Sequence, residues 1–212
     1  MKNILLIAAI TISSLATAQM ENITFGAKAG LNIASVTGDI GENSDSRISF
    51  HLGAVARYDI DDKLSIQPEL LYSSQGAKNE DSYEDLGTSI TTNTTWKVDY
   101  ILLPVMAKFY VSEGLSLEAG PQIGFLASAN ADTDVTVRDN AAEVSVSNSS
   151  STDVKDELKS IDFAFNLGLG YKLDNGLNFA ARYNIGLSDI NDSESDAKFK
   201  SRVFQLSVGF NF

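Results

Sequence analysis

The chain has no cysteine, three prolines, one histidine and one tryptophan in 212 residues. Without cysteine it carries no disulfide, no cysteine-linked lipid and no thiolate metal site. After the first twenty residues no apolar run approaches the ~18 residues that a helical membrane span requires, which excludes a helical membrane protein. It also lacks a P-loop, a dinucleotide fingerprint and an HExxH zinc motif, and there is no G-x-S-x-G elbow. No catalytic, cofactor-binding or metal-ligating residues are expected, and no cofactor. Positive charge is scarce as well. Sixteen Lys and Arg stand against 28 Asp and Glu, a balance that disfavours nucleic acid as a partner.

The N-terminus has the form of an export signal. Lys2 supplies a short positive region, Ile4 to Leu15 an apolar stretch, and Ala16-Thr17-Ala18 a small-x-small cleavage site. Residues 1–18 are therefore expected to be a signal peptide. Residues 19–212 are expected to form one domain of barrel size.

From Phe25 onward the apolar period is two. Phe25 to Ile33, Ile48 to Tyr58, Leu64 to Tyr72, Ile101 to Phe109, Leu115 to Phe125, Phe163 to Tyr171, Leu177 to Leu187 and Phe204 to Phe212 each alternate apolar with polar or small residues. Such alternation marks a strand with one apolar and one polar face. In the run from Ile101 the second face is unusually apolar too. The eight runs are joined alternately by tight and by long connections. Asp59 to Lys63, Ser112-Glu113-Gly114 and Asp174-Asn175-Gly176 are the tight ones, two with glycine available for positive φ. The long polar ones are 37–46, 76–95, 129–160 and 189–200, and they hold most of the acidic excess. Short turns at one rim and long loops at the other predict an all-β fold, an eight-stranded antiparallel up-and-down transmembrane β-barrel. Both termini then fall on the periplasmic, short-turn side.

The polar faces carry Lys28, Arg57, Glu69, Lys108, Glu118, Arg182 and His51. Lipid cannot solvate them, so they must point inward while the apolar faces meet hydrocarbon. A lumen of eight strands is narrow. Its opposite charges are expected to pair in a structural network of Lys28, Arg57, Glu69, Lys108, Glu118 and Arg182. With a three-residue turn at Ser112–Gly114, Lys108 and Glu118 fall directly opposite each other. Tyr58, Tyr72, Trp96, Tyr100, Tyr110, Tyr171 and Phe212 lie mostly near strand ends, where interfacial aromatic girdles sit. The 129–160 segment, rich in Ser, Asn and Thr, is expected to be a loop with little to bury. Alternatively, Asp134–Arg138 and Glu143–Ser147 extend the barrel as a hairpin above the membrane.

Five segments together resemble the PorT-like outer-membrane β-barrel family of the Bacteroidota. They are Gly26-x-Lys28-x-Gly30-Leu31-Asn32, Leu64 to Tyr72 (LSIQPELLY), Leu102-Leu103-Pro104-Val105-x-x-Lys108, Glu118 to Gly124 (EAGPQIG) and the ending Val208-Gly209-Phe210-Asn211-Phe212. The family tolerates Pro68, Pro104 and Pro121 inside strands, where each removes a ladder hydrogen bond, so local bulges are expected there.

The function so implied is that of a non-enzymatic outer-membrane protein acting through acidic extracellular loops, with a link to secretion or surface assembly. Its expected partners are outer-membrane lipid, the barrel-assembly machinery reading Phe210 and Phe212 as an assembly signal, and a surface or periplasmic protein. Two other classes compete. A soluble lipocalin-like barrel needs its apolar residues inward. A lipid-modifying enzyme needs His51 beside a serine and an acid at the lipid-facing rim, whereas His51 belongs to the inward face and is expected to be a satisfied lumen residue.

Overall fold

The computed structural model describes residues 22–38, 44–85, 88–139, 144–192 and 198–212; the expected signal peptide lies outside them. Nine strands follow in chain order: β1 (Ile23–Gly38), β2 (Asp45–Asp59), β3 (Leu64–Asp85), β4 (Thr88–Tyr110), β5 (Leu115–Asp139), β6 (Val144–Asp153), β7 (Ile161–Lys172), β8 (Leu177–Gly186) and β9 (Phe199–Asn211). All pairings are antiparallel. Sequence neighbours pair from β1 to β5, β5 pairs with β7, and the ring closes through β7, β8 and β9 back onto β1. Eight strands form the barrel, as the alternation predicted.

β6 stands outside the ring. β7 accompanies β5 from Leu115 to Phe125, and β6 takes over from Asn130 to Asp139. The upper parts of β3, β4 and β5 run on past the barrel and, with β6, form a four-stranded sheet. Two expected loops, 76–95 and 129–160, are therefore largely strand. Outside the short alternating runs Asp134–Arg138 and Glu143–Ser147 their hydropathy hid this, because a sheet with water on both faces has no reason to alternate. The hairpin alternative is the one that formed: Asp134–Arg138 lie opposite Ser145–Ser149, two residues on from the expected Glu143–Ser147, and Glu143 itself lies outside the described residues.

The tight turns form as expected. Gly114 (φ 81°) and Gly176 (φ 89°) adopt the left-handed backbone that closes the β4–β5 and β7–β8 hairpins. The prolines behave differently from the expectation. Pairing is interrupted on one side of each: Pro68 against β2, Pro104 against β3 and Pro121 against β4. The register on either side of each gap is unchanged, so a bond is lost without a bulge. The two register shifts lie elsewhere, between Ser46 and His51 and at Asp99/Tyr100. Each proline keeps its pairing with the following strand, which pins the register and leaves no extra residue to expel.

The faces are those of a membrane barrel. Phe163 is 50% exposed and Leu206 47%, whereas Glu118 and Arg182 are each 2% exposed. Apolar side chains face out and charged ones in, the reverse of a lipocalin. The apolar inner face of β4 also has its explanation. Tyr100, Val98 and Leu102 pack with Leu71, Leu126, Ala129 and Val154 into a cluster that fills the lumen toward the open end. Tyr100, expected in a girdle, is thus an interior residue. Trp96, on the same inward face, lines a cavity at the mouth. Strand position alone separates neither residue from a girdle, because both lie above the point where the membrane pattern stops.

Candidate functional site

The centre of the lumen holds the charged side chains that alternation turned inward. Glu69 of β3 accepts hydrogen bonds from Lys28 Nζ at 3.0 Å, from Arg182 Nη1 and Nη2 at 2.9 and 2.7 Å, and from Gln67 Nε2 at 2.7 Å. Arg182 turns its Nε to Glu118 Oε2 at 2.7 Å. One guanidinium on β8 therefore bridges two carboxylates on β3 and β5, using the planar fork that lysine lacks.

Lys108 and Glu118 pair directly across the β4–β5 hairpin, with Nζ 2.8 Å from Oε1. At that distance the ammonium lies within hydrogen-bond range of the carboxylate. Lys108 also lies 3.4 Å from Gln67 Oε1. Three cations and two carboxylates from five of the eight barrel strands are cross-linked in this way. β7 contributes an absence: Gly168 stands between Glu118 and Arg182, and a Cβ there would meet Arg182 Cγ at 2.7 Å. The missing side chain makes room for the bridge.

Arg57 is the exception among the six expected network residues. It is buried, but it bonds to Asp59 and Thr24 near the tight-turn end and touches neither Glu69 nor Glu118. Alternation fixes which face a residue takes; it leaves open the depth at which the residue sits along the barrel axis. Phe210 and Phe212 both face outward on the last strand, where Phe212 N donates to Phe25 O at the β1–β9 seam.

Above the charged tier lies a neutral polar one, which sequence reasoning left without partners. His51 Nδ1 is 2.8 Å from Asn32 Oδ1 and Nε2 is 2.9 Å from Ser207 Oγ. A carboxamide oxygen only accepts, so Nδ1 carries the proton and Nε2 accepts from the serine. Asn32 also accepts from Gln205 and donates to Ser73 and Ser74. The order Ser207–His51–Asn32 matches the distances of a hydrolytic triad. Its burial does not fit: the three are 9%, 1% and 0% exposed, and an amide stands where a carboxylate would stabilise an imidazolium. The arrangement is a satisfied hydrogen-bond chain on the inner face. Alternation gave the face of each member, but the partners come from β1, β2 and β9, and β9 is far away in sequence.

The extension sheet carries the other exposed chemistry. Asp132 pairs with Lys97 and accepts from Ser151, and Asp134 accepts from Ser149. The hydrogen bonds from Lys97 and Ser151 hold the Asp132 carboxyl below its usual range.

A family model described as "Outer membrane protein beta-barrel domain" matches residues 17–192. Among solved structures the chain is similar to Ail, the attachment invasion locus protein of Yersinia pestis, at 16% identity and a TM-score of 0.45, over 91% of this chain and 100% of that one. It is similar to Neisserial surface protein A at 15% identity and a TM-score of 0.42, over 89% and 97% of the two chains. Acinetobacter baumannii CarO matches at 11% identity and a TM-score of 0.38, over 87% and 97%. A search of curated proteins returned no match.

Proposed function

The chain belongs to the outer membrane protein beta-barrel domain family and resides in the outer membrane, and from that premise we propose a non-enzymatic role carried by the open end of the barrel. The observation behind this reading is the contrast between a filled lumen and a built exterior. Lys28, Glu69, Glu118 and Arg182 are all under 10% exposed and mutually bonded, so the charges at the centre of the lumen are engaged with one another. The extension, in contrast, is an ordered sheet whose outermost strand, β6, is paired along one edge only among the described residues. Its acidic and hydroxyl side chains suit contact with a protein at the cell surface.

In this reading residues 1–18 are a signal peptide cleaved after Ala18, and the tight turns face the periplasm. Phe210 and Phe212 form the signal taken up by the barrel-assembly machinery. A part in secretion or surface assembly, as the PorT-like resemblance implies, belongs to the same proposal. It is tested by pull-down from outer membranes, comparing the intact protein with a variant in which 79–94 and 131–152 are each replaced by a short turn. A partner retained by the intact protein and lost from the variant, with heat-modifiable gel migration preserved in both, supports it. Equal capture by the two proteins refutes it. The enzymatic alternative predicts altered lipid A in a His51→Ala strain, and unchanged lipid A removes it.

A further inference from the structure

In a chain of net charge −12, the neighbouring strands β8, β9 and β1 contain no acidic residue. Their lipid faces are apolar up to one level. On β9 the outward column runs Phe212, Phe210, Val208, Leu206 and Phe204, all exposed. On β1 the apolar column ends at Ile33, which pairs with Phe204. Phe204 to Phe212 is nine residues, and a tilted strand crosses hydrocarbon in about 9–11. The membrane band on this wall therefore ends at the Ile33–Phe204 pair.

Directly above that pair the same faces change chemistry. Arg202 and Lys200 continue the outward column of β9, both exposed, while Val203 and Ser201 turn inward. The register pairs Arg202 with Ser35 and Lys200 with Thr37. Direct partners share a face, with Cβ atoms about 4.5–5.5 Å apart. Two cations and two hydroxyls thus form one patch at the membrane border. Among the described residues none of these four side chains has a hydrogen-bond or ion-pair partner, whereas the exposed Lys97, on β4, is paired with Asp132. We propose that this patch binds the phosphomonoester headgroup of a lipid in the leaflet at the open end, whose acyl chains lie along the apolar faces of β9 and β1. The Arg202 fork spans two phosphate oxygens and Lys200 adds a second positive charge. Ser35 and Thr37 donate their hydroxyl protons to the remaining oxygens. A monoester carries about 1.5–2 negative charges near neutral pH, which matches two cations on a wall without acids. β9 stands four strands from β4 in either direction around the ring, so the lipid lies away from the extension sheet and its binding is independent of the role proposed for that sheet.

The test is amide NMR of the protein in phosphatidylcholine nanodiscs that contain phosphatidic acid at increasing mole fraction. The expected result is a saturable shift of the Ser35, Thr37, Lys200 and Arg202 amides, with those of Lys97 and Asp132 unmoved. Read at Ser35 and Thr37, the half-saturating fraction is expected to rise about fivefold in Lys200→Gln and in Arg202→Gln. Lys97→Gln is expected to leave it unchanged. Both substituted β9 side chains are exposed, and heat-modifiable migration confirms that the variants fold. A shift that grows linearly with mole fraction, or equal half-saturation in the parent and both β9 variants, overturns the site. Equal half-saturation with phosphatidylglycerol, a singly charged diester, overturns the monoester assignment. The same shifts produced by inorganic phosphate in nanodiscs of phosphatidylcholine alone overturn the lipid as occupant.

Discussion

β3, β4 and β5 each pass through two settings, and the same backbone ladder is held differently in each. Inside the barrel their polar side chains turn inward and cross-link strands far apart around the ring. Arg182, on β8, reaches Glu69 on β3 and Glu118 on β5. In the extension the side chains mostly meet their immediate cross-strand neighbours: Thr136 with Ser147, Asp134 with Ser149, Thr94 with Thr133. A lumen closed to water makes every unmatched polar group costly. An exposed sheet has water as an alternative partner, so each of its side-chain contacts is worth little. The barrel is therefore specified by its interior chemistry and the extension by its backbone.

The sharpest way to break this comparison is to remove one cation from each setting. Arg182→Met leaves two buried carboxylates short of a partner and is expected to cost about 3–5 kcal/mol. Lys97→Met in the extension removes an exposed partner of Asp132 and is expected to cost under about 1 kcal/mol. Urea unfolding in lipid vesicles measures both. Equal losses would mean that the two regions are not held differently.

Next in size is the outer face. Leu206→Arg places a charge on the lipid side of β9 near mid-strand and is expected to cost about 2–4 kcal/mol. Thr136→Arg, in the extension, is expected to stay within about 0.5 kcal/mol. Vesicle unfolding again separates them. A tolerated Leu206→Arg would take the membrane away from that face.

Smaller is the effect of filling the gap beneath the Arg182 bridge. In Gly168→Ala the new Cβ would stand 2.5 Å from the Ala181 carbonyl and 2.7 Å from Arg182 Cγ. Overpacking of that kind costs about 1–3 kcal/mol. An unchanged unfolding midpoint would show that the lumen has slack where the structure shows none.

Legibility in the sequence followed the same division. Alternation revealed the barrel strands because lipid and lumen sort side chains by face. The Lys108–Glu118 pair followed from turn length, since a hairpin register is a local property. The Arg182 bridge to Glu69 was only half legible. Its members were known to point inward, but whether β3 and β8 meet across the lumen depends on the closed ring and on depth, and depth also misplaced Arg57. The extension was least legible. Apart from the short alternation of Asp134–Arg138 and Glu143–Ser147, which offered the hairpin as an alternative, its residues carry no period, because both faces of that sheet see water and neither face selects. The prolines show a further limit: composition foretold lost ladder bonds, but only the pairing shows that the register is kept.

The smallest expected effect concerns the base of the extension, where Lys97 and Ser151 donate to the exposed Asp132 carboxylate. Its pKa is held below the ordinary 3.8. A depressed carboxylate pKa contributes stability that is fully present above the unfolded value and is lost as pH falls through the folded one. Strengthening of the extension by this contact should thus persist at neutral pH and fade only below about pH 4. The carboxyl carbon shift of Asp132, followed by NMR against pH, is expected to titrate below 3.8 in the parent and to rise toward 3.8 in Lys97→Ala. The barrel amides should be indifferent to that substitution. A parent titration at the ordinary value would show that Lys97 does not hold Asp132 in solution. The extension would then rest on its backbone ladder alone, which is the limiting form of the contrast with the lumen.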